Sequence, residues 1–303
     1  MATILITGGT GLIGQYLSKQ LLDRGYSVML LCRSRQPNAN PPAYAWNIEE
    51  QTIDKEAIAT ADYIIHLAGE NIGDKRWTSP RKQAIIDSRV KTAQLLYNKV
   101  KEHSNHLKTF ISASAIGYYG TNTVDTIYKE SDAPANDFLG KTCQLWEEAA
   151  EQFQTLGIRT VKIRTGVVLT SHGGALEKMT APVKLGIGSA IGNGRQYMPW
   201  IHIDDLCGIY IKAIEDAEIQ GAYNAVAPEH VTNKEFTCTL AHVLNKPFLF
   251  PDVPAFSLKI LFGEMATILL KGSRVTSDKI QAAGYIFRFP TLKNALTNLL
   301  CGE

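Results

Sequence analysis

"TGGTGLIG" (Thr7–Gly14) is preceded by the apolar run "TILI" and followed by "QYLSKQLLDR", which has helical spacing. The order strand, glycine turn, helix decides the reading of the fold. Two glycine spacings overlap in it: Gly9-x-Gly11-x-x-Gly14 and Gly8-x-x-Gly11-x-x-Gly14. Gly8 or Gly9 permits the sharp turn, Gly11 lets a pyrophosphate approach the backbone, and Gly14 allows close helix–strand packing. Thr10, Leu12 and Ile13 complete the loop and the helix start, where free N–H groups favour an anion.

The same alternation continues. "YSVMLLCR", "YIIHLAG", "KTFISASA" and "RTVKIRTGVVL" read as strands, and helices are expected over 12–24, 79–102 and 137–156. Strands apolar on both faces, separated by helices, predict an α/β, Rossmann-type, doubly wound parallel sheet. After about Leu169 the chain turns glycine-rich ("SHGGALEKM", "GIGSAIGNGRQ"). The division expected is therefore 1–169 for nucleotide binding and 170–303 for a smaller mixed α/β substrate lobe, interleaved around 200–230.

A nucleotide fold of this kind places a side chain against the adenosine ribose at the end of its second strand. Here that residue is Arg33, followed by Ser34 and Arg35. A guanidinium suits a 2′-phosphate, which an acid would repel, so NADP(H) is expected in preference to NAD(H). The alternative is an Arg33 that is simply solvated.

Bulk composition excludes other classes. In 303 residues, 31 basic and 29 acidic side chains leave a charge of +2 without a long run of one sign, so neither nucleic acid nor an anionic membrane is expected as a partner. Small molecules remain. Five cysteines, widely spaced and without a C-x-x-C pair, argue for reduced thiols in the cytoplasm and against zinc or any other metal. "MATILITGG" reads as a buried strand and not a secretion signal, and "AFSLKILFGEMATILLKG" as an amphipathic helix against the core. A homodimer is compatible with all of this.

"TGGTGLIG", "HLAGENI", "SASAIGYYG", "RTGVVL", "PWIHIDDL" and "YNAVAPE" together resemble, in order and over nearly the whole chain, the extended short-chain dehydrogenase/reductases. Their pairing with "DFLGKTCQLWE" is most similar to the atypical YfcH-like branch, the "epimerase family" proteins. The resemblance implies that Leu67, Ala68 and Gly69 run beside the cofactor and that Glu70 and Asn71 lie at the substrate's edge. It implies that Arg89 faces the cofactor, solvent exposure being the alternative, and that the "RTGVV" loop, with Val168, lines the nicotinamide. His66 reads as a satisfied strand histidine.

In the wider family a Ser or Thr binds the reacting oxygen, a Tyr exchanges its proton, and a Lys lowers the Tyr pKa. Ser114 matches the first, while Ser112 falls at the cofactor's edge as a structural residue. Aligned through Glu147, Leu139 stands at the tyrosine position and Cys143 at the lysine position. Lys141 lies roughly 200° around the helix from Cys143 and could serve only if the helix began after it. Tyr119 and Cys143 are the remaining proton-transfer candidates, with Tyr118 beside the first. In "PWIHIDDL" the resemblance implies a hinge, with Asp204 or Asp205 capping the next helix and His202 a candidate substrate contact. Arg195 and Arg274 are candidate anion contacts. Two readings follow: an NADP(H)-dependent oxidoreductase or epimerase-like enzyme on a small carbonyl or hydroxyl compound, or an NADP(H)-binding sensor without turnover.

Overall fold

The computed structural model describes every residue except Met1, Pro37, Asn105, Asn122, Val124 and Glu303. In chain order the strands are β1 (Thr3–Thr7), β2 (Ser27–Cys32), β3 (Ala43–Asn47), β4 (Thr52–Ile53), β5 (Tyr63–His66), β6 (Thr109–Ala115), β7 (Ile127–Tyr128), β8 (Arg159–Thr165), β9 (Val167–Leu169), β10 (Trp200–His202), β11 (Gly221–Ala225) and β12 (Arg274–Val275). The helices are α1 (Leu12–Asp23), α2 (Lys55–Thr60), α3 (Ser79–His103), α4 (Phe138–Glu151), α5 (Gly174–Lys184), α6 (Ile203–Glu215), α7 (Asn233–Val243), α8 (Ala255–Phe262), α9 (Thr267–Leu270), α10 (Asp278–Ala282) and α11 (Leu292–Cys301).

Eight strands form one sheet in the order β11-β8-β6-β5-β1-β2-β3-β4, parallel except for the β3–β4 pair. The chain runs outward from β1 through β2 to β3, then crosses to β5 on the other side of β1 and continues to β6, β8 and β11. Strand order therefore reverses between β1 and β5, and the crevice at their C-terminal ends is where such sheets bind ligands. This is the Rossmann-type α/β fold expected from the alternation.

Side-chain alternation along each strand supplies both faces. Ile4, Ile6, Ile65, Ile111 and Ile163 pack against Leu17 and Leu21 of α1 and Leu206, Ile209 and Tyr210 of α6. Leu5, Ile64 and Phe110 face Leu95, Leu96 and Ala150 on α3 and α4. Each such aliphatic side chain contributes about 1.5–3 kcal/mol on burial, so a strand apolar on both faces has no solvated register to slip into.

The third predicted helix ends early, as a 3₁₀ turn over Gln152–Leu156. β11 returns to the large sheet from beyond residue 200, and Trp200, Phe236, Leu240, Leu292 and Leu296 form a separate cluster. The amphipathic helix expected from "AFSLKILFGEMATILLKG" is corrected. Gly263, at φ +61°, breaks it, and α8 buries none of its residues, leaving Phe256, Ile260 and Leu261 exposed. Arg76 holds it instead, donating to the carbonyls of Ile260 and Leu261 at its C-terminus. Among the described residues no helix is long and apolar enough to cross a membrane.

Candidate active site

A cleft of about 1120 Å³ opens at the β1–β5 reversal. It brings together Gly8, Thr10, Arg33, Ser34, Ala68, Gly69, Glu70 and Asn71 of the residues singled out in the sequence. Gly8 has φ +68°, and a Cβ there would lie 2.9 Å from the Ala68 nitrogen, so the turn and its approach to the β5 loop both require glycine. At Gly14 a Cβ would sit 2.5 Å from the Gly8 carbonyl oxygen, which is the close helix–strand packing inferred from the spacing. Gly11 differs: a Cβ would meet only the Gly8 oxygen, at 3.2 Å, and its other side is open. Leu12 and Ile13 begin α1 behind it.

Arg33 is exposed at the end of β2 and forms no ion pair among the described residues. Arg35 is engaged instead, with Asp54 and Glu56 and over the Tyr44 ring. On the far wall, Leu67 donates its N–H to Thr7, and the Ala68 N–H reaches the Thr7 hydroxyl. That hydroxyl also meets His66 Nδ1 at 2.7 Å, and the Thr92 hydroxyl lies 3.2 Å from Nε2. His66 is fully buried, and burial holds its pKa down at about 4, so it is neutral and structural.

Arg89 is not solvated. Its guanidinium stacks over Trp146, 4.8 Å from the ring centroid, and donates to the carbonyls of Ile85 and Glu70. A Cβ on Gly69 would lie 3.0 Å from its central carbon. Glu70 and Asn71 are pinned by Arg81, which pairs with the Glu70 carboxylate at 2.7 Å and donates to the Asn71 carbonyl at 2.6 Å.

Beyond Gly69, Gly117 faces α4, where a Cβ would meet Leu139 Cβ at 3.3 Å and Cys143 Sγ at 3.6 Å. These are the two side chains that the sequence aligns with the family's Tyr and Lys. Burial pushes the Cys143 thiol up to about 12, against a weaker opposing pull from Arg89, so it stays protonated at neutral pH. Asp137 caps α4 at the Gly140 N–H, and Lys141 is inside the helix and exposed, which removes it as a substitute lysine.

Ser114 is buried, and its hydroxyl donates to Glu147 Oε1 at 2.7 Å. Arg164 grips the same carboxylate with two bonds of 2.8 Å, from Nε to Oε1 and from Nη2 to Oε2. Its Nη1 donates to the Tyr119 hydroxyl at 2.9 Å, and Tyr119 donates in turn to Asn224 Oδ1 at 2.7 Å. The Arg164 guanidinium carbon lies over the Tyr118 ring, 3.5 Å from its centroid. Burial opposes the charge on Arg164, yet the bonds to Glu147 raise its pKa above the ordinary arginine value. Burial also raises Tyr119. Sequence reasoning missed this network. Glu147 served only to set the alignment, and nothing local in "KIRTG" marks Arg164 as buried.

Other positions are not among the residues that line this cleft. Ser112 is buried and donates to the Ala113 carbonyl, and Val168 packs on β9 against the α1–α6 side. His202 is buried, stacked 3.9 Å from Phe289, and its Nδ1 accepts the Asp204 N–H. The capping group of α6 is thus His202, a correction to Asp204 or Asp205. Asp205 instead anchors the C-terminal segment, accepting the N–H groups of Arg288 and Phe289 and the Tyr285 hydroxyl. Arg195 is exposed, its N–H on Asn193 Oδ1. Among the described residues no group of three or more His, Cys, Asp or Glu could hold a metal ion.

Residues 4–225 match the NAD dependent epimerase/dehydratase family, and residues 253–299 match a domain of unknown function, DUF1731. The chain therefore belongs to the NAD dependent epimerase/dehydratase family. It is 36% identical over 298 residues to the epimerase family protein YfhF of Bacillus subtilis, covering 98% of this chain and 97% of that one. It is 36% identical over 300 residues to the epimerase family protein SDR39U1 of Mus musculus, covering 98% and 99%. The crystal structure of the human epimerase family protein SDR39U1, isoform 2, with NADPH superposes with a TM-score of 0.88 at 32% identity, covering 99% of this chain and 100% of that one.

Proposed function

We propose that this member of the epimerase/dehydratase family binds NADP(H) in the β1–β5 cleft and exchanges hydride with a small carbonyl or hydroxyl compound without a tyrosine–lysine couple. The observation that carries the cofactor is Arg33, an exposed guanidinium with no ion pair among the described residues, beside a preformed glycine turn. The NADPH bound by human SDR39U1 supports the same reading. When bound, NADP(H) supplies the hydride chemistry, and the protein has to hold, orient and shield. Gly8, Thr10 and Gly11 would take the pyrophosphate, Arg33 and Ser34 the 2′-phosphate, and Ala68 and Gly69 the inner ribose. Arg89 brings a fixed positive charge from α3 to the region where the family's lysine would act from α4.

All three proton-transfer candidates are engaged within the protein. Ser114 spends its proton on Glu147, Cys143 stays a thiol, and Tyr119 is buried between Arg164 and Asn224. Either the proton comes from solvent admitted to the cleft, or the protein binds NADP(H) and signals without turnover. The engagement of all three groups is the observation that keeps the second reading beside the proposed enzyme; the preformed cleft is common to both. Calorimetry with NADPH and NADH, followed by a carbonyl-compound screen monitored by NADPH absorbance, separates them. Equal affinity for the two cofactors would overturn the Arg33 assignment, and binding without oxidation of NADPH by any compound would leave the sensor.

A further inference from the structure

α8 inverts the pattern of an ordinary surface helix. Its sequence, "AFSLKILF", is apolar apart from Ser257 and Lys259, and a helix of that composition is normally enclosed. Here none of its residues is buried: Phe256 is 67% and Ile260 72% exposed, and Leu261 is exposed beside them. The helix is nevertheless held firmly. Arg76 donates to the carbonyls of Ile260 and Leu261, Lys82 pairs with Glu264 at 2.7 Å, and Met265 and Ala266 in the following turn are buried. The exposed apolar side chains therefore belong to a fixed surface and not to a loose flap.

The same surface continues into the neighbouring chain. Just before α8, the Val253 N–H donates to the Ala190 carbonyl at 2.8 Å and the Val253 carbonyl accepts the Gly192 N–H at 2.9 Å. A Cβ on Gly186 would lie 3.9 Å from the Pro247 ring. These contacts bring the segment that carries Leu185 and Ile187 beside the one that carries Leu249 and Phe250, and all four side chains are exposed, Leu249 at 84%. At about 200 Å² for a large apolar side chain, the seven together leave on the order of 900 Å² in water. The largest apolar patch of a typical monomer is about 300–600 Å², whereas each partner in a standard interface contributes about 800 Å². Among the described residues the other exposed large hydrophobics, Ile127, Leu145 and Ile286, stand singly on β7, on α4 and after α10. The chain thus offers one large apolar area, which a copy of the chain can cover only with the same face, and such a contact closes at two subunits. Lys246, Lys259 and Asp252 are exposed on these segments and form no ion pair among the described residues, so both signs of charge are available to a facing copy.

We propose that this face is a dimer interface, covered in solution by the same face of a second copy, with the two α8 helices antiparallel across a two-fold axis. Phe256 and Ile260 stand one turn apart on one side of the helix, so in that arrangement Phe256 of each copy meets Ile260 of the partner subunit. The contact also braces the edge of the cleft. Arg76, which grips the end of α8, lies in the short connection between Asn71 of the cleft wall and the start of α3. The inference is independent of what the cleft binds.

The test is sedimentation velocity of the full chain over roughly a hundredfold range of concentration, since a dimer dissociates on dilution by mass action. Twice the chain mass is expected at the upper end. Phe256→Lys and Ile260→Glu, both at exposed positions, are each expected to associate about tenfold or more weakly with an unchanged melting temperature, because each would bury an unpaired charge. An equimolar mixture of the two variants is expected to recover the dimer, as opposite charges then face one another across the axis. Leu249→Ser, which adds no charge, should weaken association several-fold and serves if either charged variant misfolds. A wild type that stays monomeric at every concentration would overturn the proposal, and flotation of that monomer with vesicles of phosphatidylcholine and phosphatidylglycerol would assign the face to lipid instead. A dimer that all three variants leave intact would place the interface elsewhere and overturn it equally, and a mixture that remains monomeric would overturn the antiparallel pairing of α8.

Discussion

Glu147→Gln tests whether the network under the candidate active site is a stabilising element. The substitution keeps the shape and removes the charge, leaving the Arg164 guanidinium, 3% exposed, opposite a neutral amide. Breaking one side of a buried ion pair costs about 3–5 kcal/mol, because the remaining charge loses compensation it cannot recover from water. With unfolding entropy of roughly 2.1 cal/mol/K per residue, a chain of 303 residues loses about 1.5 °C in Tm per kcal/mol. The expected fall is about 5–8 °C by differential scanning calorimetry. Glu147→Leu combined with Arg164→Met removes both charges and should melt above the single variant, since apolar replacement of a whole pair is often neutral. A Glu147→Gln protein melting within about 2 °C of wild type would refute the argument. So would a double variant less stable than the single one.

Arg33→Ser should weaken NADPH by tenfold to about a hundredfold and leave NADH within about threefold, as charge-assisted bonds are worth about 1.5–3 kcal/mol; paired calorimetry reads the ratio, and parallel losses would contradict it. Cys143, with its pKa pushed up to about 12, should resist iodoacetamide at pH 8 while the exposed Cys238 and Cys301 react; labelling of Cys143 in the native state by mass spectrometry would count against the buried-thiol assignment. His66, held near 4 against a usual value of 6.5, binds its proton more readily in the unfolded chain. Its contribution is thus fully present above about pH 6.5 and is lost as pH falls toward 4, by about 2 kcal/mol at pH 5. Urea unfolding at pH 7 and pH 5 should show a smaller acid loss in His66→Gln than in wild type, and equal losses would remove His66 as a source.

Much of the fold was legible because its signals are local. β1, β2, β5, β6 and β8 fall where unbroken apolar runs end at glycine or polar residues, and α1 and α3 lie within a residue of their expected bounds. The α8 region was not legible. Its composition is apolar enough for a core helix, but periodicity cannot report that Gly263 turns the chain away and that no facing surface exists for Phe256, Ile260 and Leu261. β11 was hidden for a different reason: "GAYNA" is short and carries a buried Asn224, whose side chain is satisfied by Tyr119 and Thr276.

The site divides along the same line. Glycine geometry at Gly8 and Gly14 follows from spacing, and the sequence could therefore place the cleft. Ser114 could not be judged in that way, because its environment depends on partners 33 and 50 positions away, Glu147 and Arg164. The family position of Glu147 looks like a mere helix residue until a buried arginine is set against it. Once that pair exists, Ser114 and Tyr119 become its satisfying groups, since each buried donor and acceptor must find a partner. A hydroxyl recruited to complete a buried ion pair is not free to poise a reacting oxygen. The enclosure of Ser114 thus follows from the way α4 and β8 hold each other through Glu147 and Arg164, while the Arg89 guanidinium on α3 is stacked on Trp146 of α4 and the exposed Arg33 lines the cleft.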